Sequence, residues 1–479
     1  MTRLVVGPFS RVEGDLEVTL EVEDGVVRQA RVSSSLFRGF EQILANKAPL
    51  DALAIVPRIC GICSVSQSSA VARALGDAAG LEPPHNGRTA SNLMLAAENL
   101  CDHLSHFYLF FMPDFARPGY AQRSWFPRVR ERFEAMRGGG GVEALASRAR
   151  FLELVATLGG KWPHSLALQP GGTSRAVQEA EKVQLLLVVR QFRRFLERTV
   201  FGDALERVGT LESFAALAAW RDARPAATCD FRLFLEVAGD LGLEQLGRAG
   251  DVFMSYGAYR GAERPLFAAG VFDGALHGLD PAVIREDTSH AWLLDDAPRH
   301  PAEGATQPMP DKPGAYTWCK APRLGGRAVE VGALARQVVD GHPLARDLVA
   351  RAGGNVFSRV MARLLELSLV VPEMERWVAS FEPGGPFCAQ AEIPDGSGVG
   401  LVEAARGSLG HWLSVGNGRI SGYQIVAPTT WNFSPRDAEG QAGPLEQALL
   451  GTPAGGQLGE VAVQHVVRSF DPCMVCTVH

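Results

Sequence analysis

Apolar and polar residues alternate along residues 4–36, and this pattern predicts strands at the start of the chain. Residues 16–22 alternate one by one, Asp24 and Gly25 follow, and the alternation returns over residues 26–32. A period of two puts the apolar side chains on one face of a strand, and an Asp-Gly pair favours a tight hairpin turn. We therefore predict an N-terminal β region over about residues 1–36.

From about residue 65 onward, apolar residues recur at every third or fourth position, which is the spacing of amphipathic helices. The longest such pattern covers residues 86–111, with polar side chains such as Asn92, Asn99, His103 and His106 along one face. Further helices are predicted at about 120–136, 142–158, 174–201, 355–381 and 458–470. The glycine run 138–141 and the proline-rich stretch 297–314 are predicted loops.

These elements predict an α+β fold that is mainly helical. Its helical core would cover about 65–381, and a C-terminal region of strands and loops would cover about 386–479. The 479 residues would permit several domains. We predict a single interlocked domain over 1–479, because two cysteine pairs lie at opposite ends of the chain.

The composition is that of an ordinary globular chain, with 46% hydrophobic and 21% charged residues. A formal net charge of −6 offers no basic footprint, so we expect no nucleic-acid partner. No run approaches the roughly 18 apolar residues of a transmembrane helix, so no direct membrane insertion is expected. Residues 1–8 lack the long apolar segment of a signal peptide, and a cytoplasmic location is predicted.

Two Cys-x-x-Cys pairs are the candidate chemistry of the chain. Cys60 and Cys63 lie near the start, and 410 positions separate Cys63 from Cys473, which pairs with Cys476. Two such pairs can give four thiolates to one metal site. Alone, either pair is also compatible with a redox dithiol or with half of a zinc site. The redox alternative needs a small βαβ unit around the pair, and a zinc site usually has its second pair within a few tens of residues.

The residues around the cysteines are more specific than the spacing. Residues 58–63 read RICGIC, and residues 471–479 read DPCMVCTVH. Together they resemble the two metal-binding signatures of nickel–iron hydrogenase large subunits, RxCGxC and DPCxxCxxH. The resemblance implies the fold of that family, in which long helices form a central bundle with peripheral β-sheets. Further matches cover nearly the whole chain, at residues 10–15, 38–41, 103–114, 164–172, 316–323, 330–332, 402–407 and 423–432.

The resemblance implies a nickel–iron centre whose iron carries carbon monoxide and cyanide ligands. All four cysteines would bind nickel, with Cys60 and Cys473 terminal and with Cys63 and Cys476 bridging to iron. The implied activity is heterolytic oxidation of dihydrogen to protons and electrons. The metals would supply a Lewis acid, and a terminal thiolate such as Cys473 is a plausible first proton acceptor.

The same motif matches imply further site residues. Glu13 matches a proton-relay glutamate, although the residue alone is also compatible with a helix cap or a salt bridge. Arg406 matches an arginine over the open side of the metals, where its donors could bind a cyanide or polarise gas. Asp114 and Asp471 match carboxylates that orient this arginine. Thr429 matches a hydroxyl donor to the other cyanide.

A second cation site is implied near the C-terminus. Glu41, His479 and the main-chain carbonyl of Ile425 match a magnesium site of the family. Magnesium prefers oxygen ligands and keeps waters, so an imidazole is a less usual ligand for it. The alternative is a carboxylate–imidazole pair that pins the C-terminus.

Three features depart from the common family pattern. Gln67 stands four residues after Cys63, where a histidine is usual, and an amide can donate to a sulfur but cannot titrate. The chain stops at His479, where most precursors carry a removable extension, so it is either mature or never had one. Ile62 and Phe110 replace valine and leucine, which implies a narrowed gas passage unless both are simply core residues. These features resemble the regulatory, hydrogen-sensing branch.

We therefore predict the large subunit of a regulatory hydrogenase that oxidises dihydrogen slowly and signals its presence. Electrons would leave through iron–sulfur clusters of a partner small subunit, because the remaining cysteines are isolated. These are Cys101, Cys229, Cys319 and Cys388, interpreted as buried thiols. The resemblance also implies a heterodimer or a dimer of heterodimers, and a sensor histidine kinase. An energy-conserving uptake hydrogenase and a zinc-bound structural subunit of a redox complex are the alternatives.

Overall fold

The structure is a computed structural model that describes residues 2–294, 297–455 and 459–479. Strands β1 (Thr2–Val6), β2 (Leu16–Glu23) and β3 (Val26–Ser34) form an N-terminal antiparallel sheet in that order. Along β2 the side chains of Leu16, Val18 and Leu20 are buried and Glu17 between them is exposed, as alternation requires. Asp24 and Gly25 both have positive φ, which confirms the predicted hairpin turn.

Helices dominate the remainder, and the chain is 47% helical and 18% strand, which confirms the α+β class. Helices α4 and α8 continue as π-helical turns over His106–Phe111 and Leu196–Phe201. The helices are α1 (Phe40–Leu44), α2 (Ala52–Ile55), α3 (Ser64–Ala78), α4 (His85–Ser105), α5 (Phe126–Phe133), α6 (Gly139–Phe151), α7 (Glu153–Gly159), α8 (Glu179–Phe195), α9 (Leu205–Gly209), α10 (Phe214–Asp222), α11 (Asp230–Leu241), α12 (Ala333–Asp340), α13 (Pro343–Ala352), α14 (Val356–Ala379), α15 (Pro428–Asn432), α16 (Pro444–Leu449), α17 (Gly459–Ser469) and α18 (Met474–Thr477).

The other strands form small antiparallel sheets. A three-stranded sheet near the C-terminus has the order β11-β12-β13, and its strands lie within the predicted region of strands and loops. The strands are β4 (Leu168–Gln169), β5 (Gly172–Thr173), β6 (Phe253–Ala258), β7 (Phe267–Phe272), β8 (Leu276–His277), β9 (Ile284–Asp287), β10 (Ala321–Leu324), β11 (Gly396–Ala404), β12 (Gly407–Gly416) and β13 (Arg419–Val426).

Helix α14 is the centre of the helix bundle. Its 24 residues are buried over most of their length, and it packs against α4, α8, α9 and α17. The side chain of Asn355 caps it by accepting a hydrogen bond from the Ser358 amide. Long apolar helices with little exposed surface are expected where one core must serve several layers.

Most predicted helices are confirmed, with shifts at their ends. The prediction at 458–470 corresponds to α17, although Leu458 itself lies outside the described residues, and 142–158 divides at Leu152 into α6 and α7. The predicted loop at 138–141 is wrong, because Gly139 begins α6. A Cβ on Gly140 would lie 2.8 Å from the Arg132 carbonyl oxygen, so glycine here permits close packing rather than a loop.

Helix α3 lies directly against strand β11, because two glycines remove the side chains between them. A Cβ on Gly398 would lie 2.0 Å from the Ala74 carbonyl oxygen, and one on Gly400 would lie 1.9 Å from that of Ala70. Glycines two residues apart share one face of a strand. Because α3 begins immediately after Cys63, this contact also determines where the first cysteine pair lies.

One hydrophobic cluster connects the two ends of the chain. It contains Val18 and Leu20 from the N-terminal sheet, residues of the central helices, and all four cysteines of the Cys-x-x-Cys pairs. Of the isolated cysteines, Cys101, Cys229 and Cys319 are buried as predicted, whereas Cys388 is partly exposed. Among the described residues, no helix combines the length and the apolar character needed to cross a membrane.

Substituting Gly400 with alanine should destabilise the chain by about 1–3 kcal/mol, because the new methyl group must displace the backbone of α3. The measurement is thermal unfolding of the purified protein. Gly278→Ala is the matched control, since a Cβ there has no neighbour within 4 Å. Equal melting temperatures for the two variants would contradict a close contact between α3 and β11.

Candidate metal centre

The four cysteines meet at one point in the core. Cys60 follows a 3₁₀ turn, Cys63 precedes α3, and Cys473 precedes the short helix α18, which contains Cys476. The Sγ atoms of Cys60 and Cys473 lie 3.5 Å apart, and those of Cys63 and Cys476 lie 3.1 Å apart. All four sulfurs lie within 4.8 Å of one another and are buried. A disulfide would need about 2.0 Å, so the geometry is that of a thiolate cage for a metal.

Two segments near the N-terminus hold the cysteine loops together. The Arg38 guanidinium donates to the carbonyl oxygens of Ile59 and Val475, the residues just before Cys60 and Cys476. The carbonyl oxygen of Glu13 accepts from the Met474 amide at 2.7 Å. Next to Glu13, Gly14 has φ of +82° and approaches Met474 so closely that a Cβ would lie 3.1 Å from its side chain.

The four sulfurs need a cation among them if more than one is to be a thiolate. Hydrogen bonds from the other three thiols hold the pKa of Cys60 well below its usual range, whereas the same neighbours, with burial, raise the pKa of Cys63 well above it. A second thiolate is therefore opposed by the first unless a positive charge lies between them. A metal ion supplies this charge and deprotonates its thiol ligands. Soft thiolate donors suit nickel, iron and zinc.

Arg406 is buried beside the cysteines and is held by two carboxyl groups. Its Nη1 donates to Asp102 at 3.0 Å, its Nη2 donates to Asp471 at 3.3 Å, and its Nε donates to the Asp471 carbonyl oxygen at 2.9 Å. Burial opposes ionisation of Asp471, but Arg406 together with His106 and Arg363 outweighs it and lowers the pKa of that carboxyl. At Asp102 burial dominates and raises the pKa. Asp471 is thus confirmed in contact with Arg406.

The prediction for Asp114 is wrong, because this carboxylate binds other cations. It accepts hydrogen bonds from Arg11, from Arg117 at 2.8 Å and from Arg468 at 2.6 Å, and it lies 3.5 Å from His465. Asp102 occupies the position beside Arg406 that was predicted for Asp114. Asp102 lies one residue before His103, and so directly precedes the segment 103–114 that suggested the assignment. The motif therefore indicated the correct region of the chain but the wrong carboxylate.

Thr429 and Gln67 contact the second cysteine pair. The Thr429 hydroxyl accepts from the Cys473 amide at 3.2 Å, so its own proton remains available for donation. The Gln67 side-chain nitrogen lies 4.0 Å from the Cys476 sulfur. This contact agrees with a donor role for Gln67.

His411, which the sequence did not single out, orients Gln67. Its Nε2 lies 3.0 Å from Gln67 Oε1, and its Nδ1 lies 2.7 Å from the Tyr423 hydroxyl. Burial lowers the pKa of His411 to about 3, so the imidazole is neutral. An Nε2–H that donates to the Gln67 oxygen turns the Gln67 NH₂ group towards Cys476.

Glu41 and His479 meet at the C-terminus. Glu41 Oε1 lies 3.1 Å from His479 Nε2 and accepts from the Ile425 amide at 2.9 Å. Burial disfavours the Glu41 carboxylate, but Lys320, 3.6 Å away, and His479 outweigh burial and lower the pKa of Glu41 to about 2. Glu286 contacts the same lysine, and its buried Oε1 has no hydrogen-bond partner among the residues that the structure describes. The donor set offers both the predicted carboxylate–imidazole pair and oxygens for a hard cation.

The two predicted gas-access residues have different environments. Ile62 lies in the first cysteine loop and packs against the main hydrophobic cluster while remaining partly exposed. Phe110 lies in the π-helical turn after α4 and is also partly exposed, and its carbonyl oxygen accepts from Arg11 at 3.2 Å. The role of both residues in gas access stays a prediction.

Comparison with known proteins decides which metal chemistry this cage belongs to. A family model described as nickel-dependent hydrogenase matches residues 38–121 and 141–479, which include all four cysteines. The chain belongs to the nickel-dependent hydrogenase family. It is 33% identical over 519 residues to the periplasmic NiFeSe hydrogenase large subunit of Desulfomicrobium baculatum, a match covering 100% of this chain and 95% of that one. It is 28% identical to the hydrogenase-2 large chain of Escherichia coli K12, covering 100% and 97%.

Solved hydrogenase structures have the same fold. The reduced Ni-Fe-Se hydrogenase of D. vulgaris Hildenborough superposes with a TM-score of 0.86 at 29% identity, and the match covers 100% of both chains. This confirms the hydrogenase large-subunit fold. The four buried sulfurs therefore form the site of the nickel–iron centre, and the protein is a hydrogenase. Among the described residues, the cysteine cage is the one place where three or more metal-ligating side chains converge.

The contacts of Arg406 predict different effects for the two candidate carboxylates. Asp102→Asn should reduce dihydrogen oxidation about 10- to 100-fold and shift the infrared bands of the metal centre, because an amide replaces the carboxyl group that accepts from Arg406 Nη1 and positions the guanidinium. Asp114→Asn should lower the melting temperature and leave the bands unchanged, because its partners lie in a separate arginine cluster. The reverse pattern would restore the original assignment of Asp114.

Proposed function

We propose that this hydrogenase subunit oxidises dihydrogen heterolytically, with Glu13 as the first proton acceptor outside the sulfur cage. The observation that carries the proposal is the meeting of four buried cysteine sulfurs within 4.8 Å of one another. When bound there, a nickel–iron pair supplies the Lewis acid that polarises dihydrogen. The protein supplies the soft ligands, a water-poor cavity and a route for the proton.

Glu13 is placed to carry a proton away from the cysteines. Its backbone pairs with that of Cys473 as an isolated parallel bridge, so its side chain leaves the chain beside that cysteine. Burial, and then the nearby Cys60, raise the pKa of Glu13, and Arg406 lowers it in part. The side chain is only partly buried, which suits a group that exchanges protons between a dry cage and the outside.

Arg406 and Thr429 would each donate to one of the two cyanide ligands that the family resemblance implies. Arg406 is fixed by three hydrogen bonds and carries its charge beside the cysteines. Thr429 has a free hydroxyl proton beside the Cys473 amide. Fixed donors in a buried cavity bind a polar ligand strongly because they need no reorganisation.

Magnesium at Glu41 and His479 is part of the proposal. The ionised Glu41 and the unpartnered Glu286 Oε1 favour a hard cation, with the Ile425 carbonyl as the third expected ligand. The site would fix the position of His479, which lies two residues beyond the end of α18. It would thereby support the helix that contains Cys476.

A partner small subunit with iron–sulfur clusters is proposed as the route for electrons. The described residues hold one cage of cysteines, and the nickel–iron centre uses all four of its sulfurs. Relatives are named as large subunits or large chains, which supports a partner chain. The heterodimer, a dimer of heterodimers and a cytoplasmic location remain proposals on the family resemblance.

Hydrogen sensing is the finer function that we propose, with a sensor histidine kinase downstream. Gln67 supports it, because an amide that contacts Cys476 and is fixed by His411 cannot take up a proton during turnover. The runner-up is energy-conserving uptake, which is supported by the similarity to the uptake hydrogenase large subunit of Rubrivivax gelatinosus, 26% identical over 604 residues. Family membership argues against a zinc-bound structural subunit.

Replacing Glu13 with glutamine should lower dihydrogen oxidation and hydrogen–deuterium exchange about 10²- to 10⁴-fold, because the amide keeps the size but cannot relay a proton. Metal content should stay unchanged. Glu17→Gln, at an exposed position of β2, is the control and should be fully active. Near-normal exchange in the Glu13 variant would move the relay to another residue.

Trimming both Ile62 to valine and Phe110 to leucine should make the enzyme sensitive to air while dihydrogen oxidation persists. Close-packed interiors have little slack, and dioxygen is larger than dihydrogen. The Ile→Val change costs about 0.5–1.5 kcal/mol, so the protein should stay folded. The same trims at buried Ile284 and Phe133 serve as the control. Equal survival of all three proteins in air would favour a packing role.

The sensing function is tested by turnover and by signalling. Purified heterodimer should reduce a dye slowly under dihydrogen, and deletion of this chain should abolish the response of hydrogenase gene expression to dihydrogen. Restoring the chain should restore that response, whereas the Cys476→Ser variant, which lacks one of the four thiolates that would hold the metals, should not. Rapid dye reduction together with a co-purifying membrane anchor subunit would identify uptake instead.

A further inference from the structure

Glu98 is a buried carboxyl group that the mechanism above does not use. It lies on α4, is 1% exposed, and points at the first turn of α3. Its Oε2 accepts hydrogen bonds from the Val65 amide at 2.8 Å and from the Ser64 hydroxyl at 3.3 Å. Its Oε1 accepts from the Ser66 amide at 2.8 Å and from the Ser66 hydroxyl at 3.1 Å.

These contacts replace a missing helix cap. The first amides of a helix have no partner within the helix, and a side chain at the preceding position usually accepts from them. At α3 that position is Cys63, whose side chain makes no capping hydrogen bond. A sulfur that binds metal cannot serve as the cap, so the acceptor comes from another helix. The carboxylate also benefits from the positive end of the α3 dipole.

The contacts favour the ionised form of Glu98, because two backbone amides and an indole N–H can only donate to it. Every partner of Glu98 is a donor, including the Trp162 indole nitrogen at 3.1 Å, and a carboxylate accepts without donating. Burial raises the pKa of Glu98 to about 7, whereas the hydrogen bonds from Val65, Ser66 and Trp162 lower it. A carboxylate that stays in the core despite the cost of burial is typical of a group that fixes its neighbours in position.

Hydrogen bonds through Ser64 and His164 also link Glu98 to the other end of the cysteine loop. The His164 amide donates to the Ser64 hydroxyl at 3.3 Å, and His164 Nδ1 lies 3.0 Å from the Pro57 carbonyl oxygen. Pro57 precedes Cys60 by three residues, and Ser64 follows Cys63 directly. Glu98, Trp162 and His164 therefore enclose the loop from Cys60 to Cys63 at both ends.

We propose that Glu98 is a positioning residue of the metal centre, which caps α3 in place of Cys63 and thereby fixes the sulfur of Cys63. The Cys63 sulfur lies 3.1 Å from that of Cys476, a separation that leaves little tolerance for movement of α3. Glu98 itself contacts neither cysteine. This role rests on the proposed function only in so far as the sulfur cage is the site of the metals.

The test compares Glu98→Gln with Glu446→Gln in the purified heterodimer. Glu446 is also fully buried, burial also raises its pKa to about 7, and it accepts from the Val32 amide and the Tyr316 hydroxyl away from the cysteines. In Glu98→Gln, amide hydrogen exchange at Val65 and Ser66 should accelerate about tenfold or more, because an amide side chain cannot accept from all five donors. The infrared bands of the metal centre should shift or split. Glu446→Gln should change neither.

Trp162→Phe keeps the proposal testable if Glu98→Gln does not fold. It removes one donor to Glu98 and should produce a smaller shift of the same bands. Bands and exchange rates that match the Glu446→Gln protein in both variants would overturn the positioning role. Amide hydrogen exchange does not depend on metal and can be measured in protein without nickel. Accelerated exchange in such a protein would support the helix cap, whereas its lack of nickel would separately contradict the proposed function.

Discussion

Four sulfurs from opposite ends of the chain must lie within 4.8 Å of one another, and the rest of the structure serves this constraint. The cysteine pairs come from separate segments, so no local element can hold them together. Arg38 does so by donating to the carbonyl groups that precede Cys60 and Cys476. Gly14 lets the chain around Glu13 approach the second loop, and Gly398 and Gly400 let α3 lie on β11. Without glycine at these positions a Cβ would force the segments apart.

Burial of charge is the second consequence of this arrangement. Arg406, Asp102 and Asp471 lie in the core beside the sulfurs, where an unpaired charge would cost several kcal/mol. Arg406 contacts both carboxyl groups, but their pKa values shift in opposite directions. The pKa of Asp471 is lowered by its cationic neighbours, and that of Asp102 is raised by burial. A low-dielectric cavity with fixed charges stabilises a polar ligand more strongly than water does. The same environment keeps His411 neutral and so fixes the direction of the Gln67 amide.

The sequence was most informative where chemistry is encoded locally. The cysteine pairs, Asp471 and the Glu41–His479 pair all lie in short motifs, and the structure places each beside its expected neighbour. The cyanide contact of Thr429 stays a prediction. Contacts between residues that lie far apart in the sequence were missed, because nothing in the sequence connects Asp102 with Arg406 or His411 with Gln67. The choice of Asp114 over Asp102 rested on the motif match over residues 103–114. That match begins one residue after Asp102, so it did not include the carboxyl group that contacts Arg406 in the fold. Strands β4, β5 and β8 escaped notice because each has two residues, too few for a periodic pattern. All six residues of β6 are buried, so no alternation of apolar and polar residues marks that strand.

The central claim is that the sulfur cage holds nickel and iron rather than a structural metal. Elemental analysis and infrared spectroscopy of the same purified heterodimer test it most directly. The account predicts about one nickel and one iron per large subunit beyond the iron of the partner's clusters, together with infrared bands from diatomic ligands on the iron. Stoichiometric zinc in a protein without such bands would contradict it.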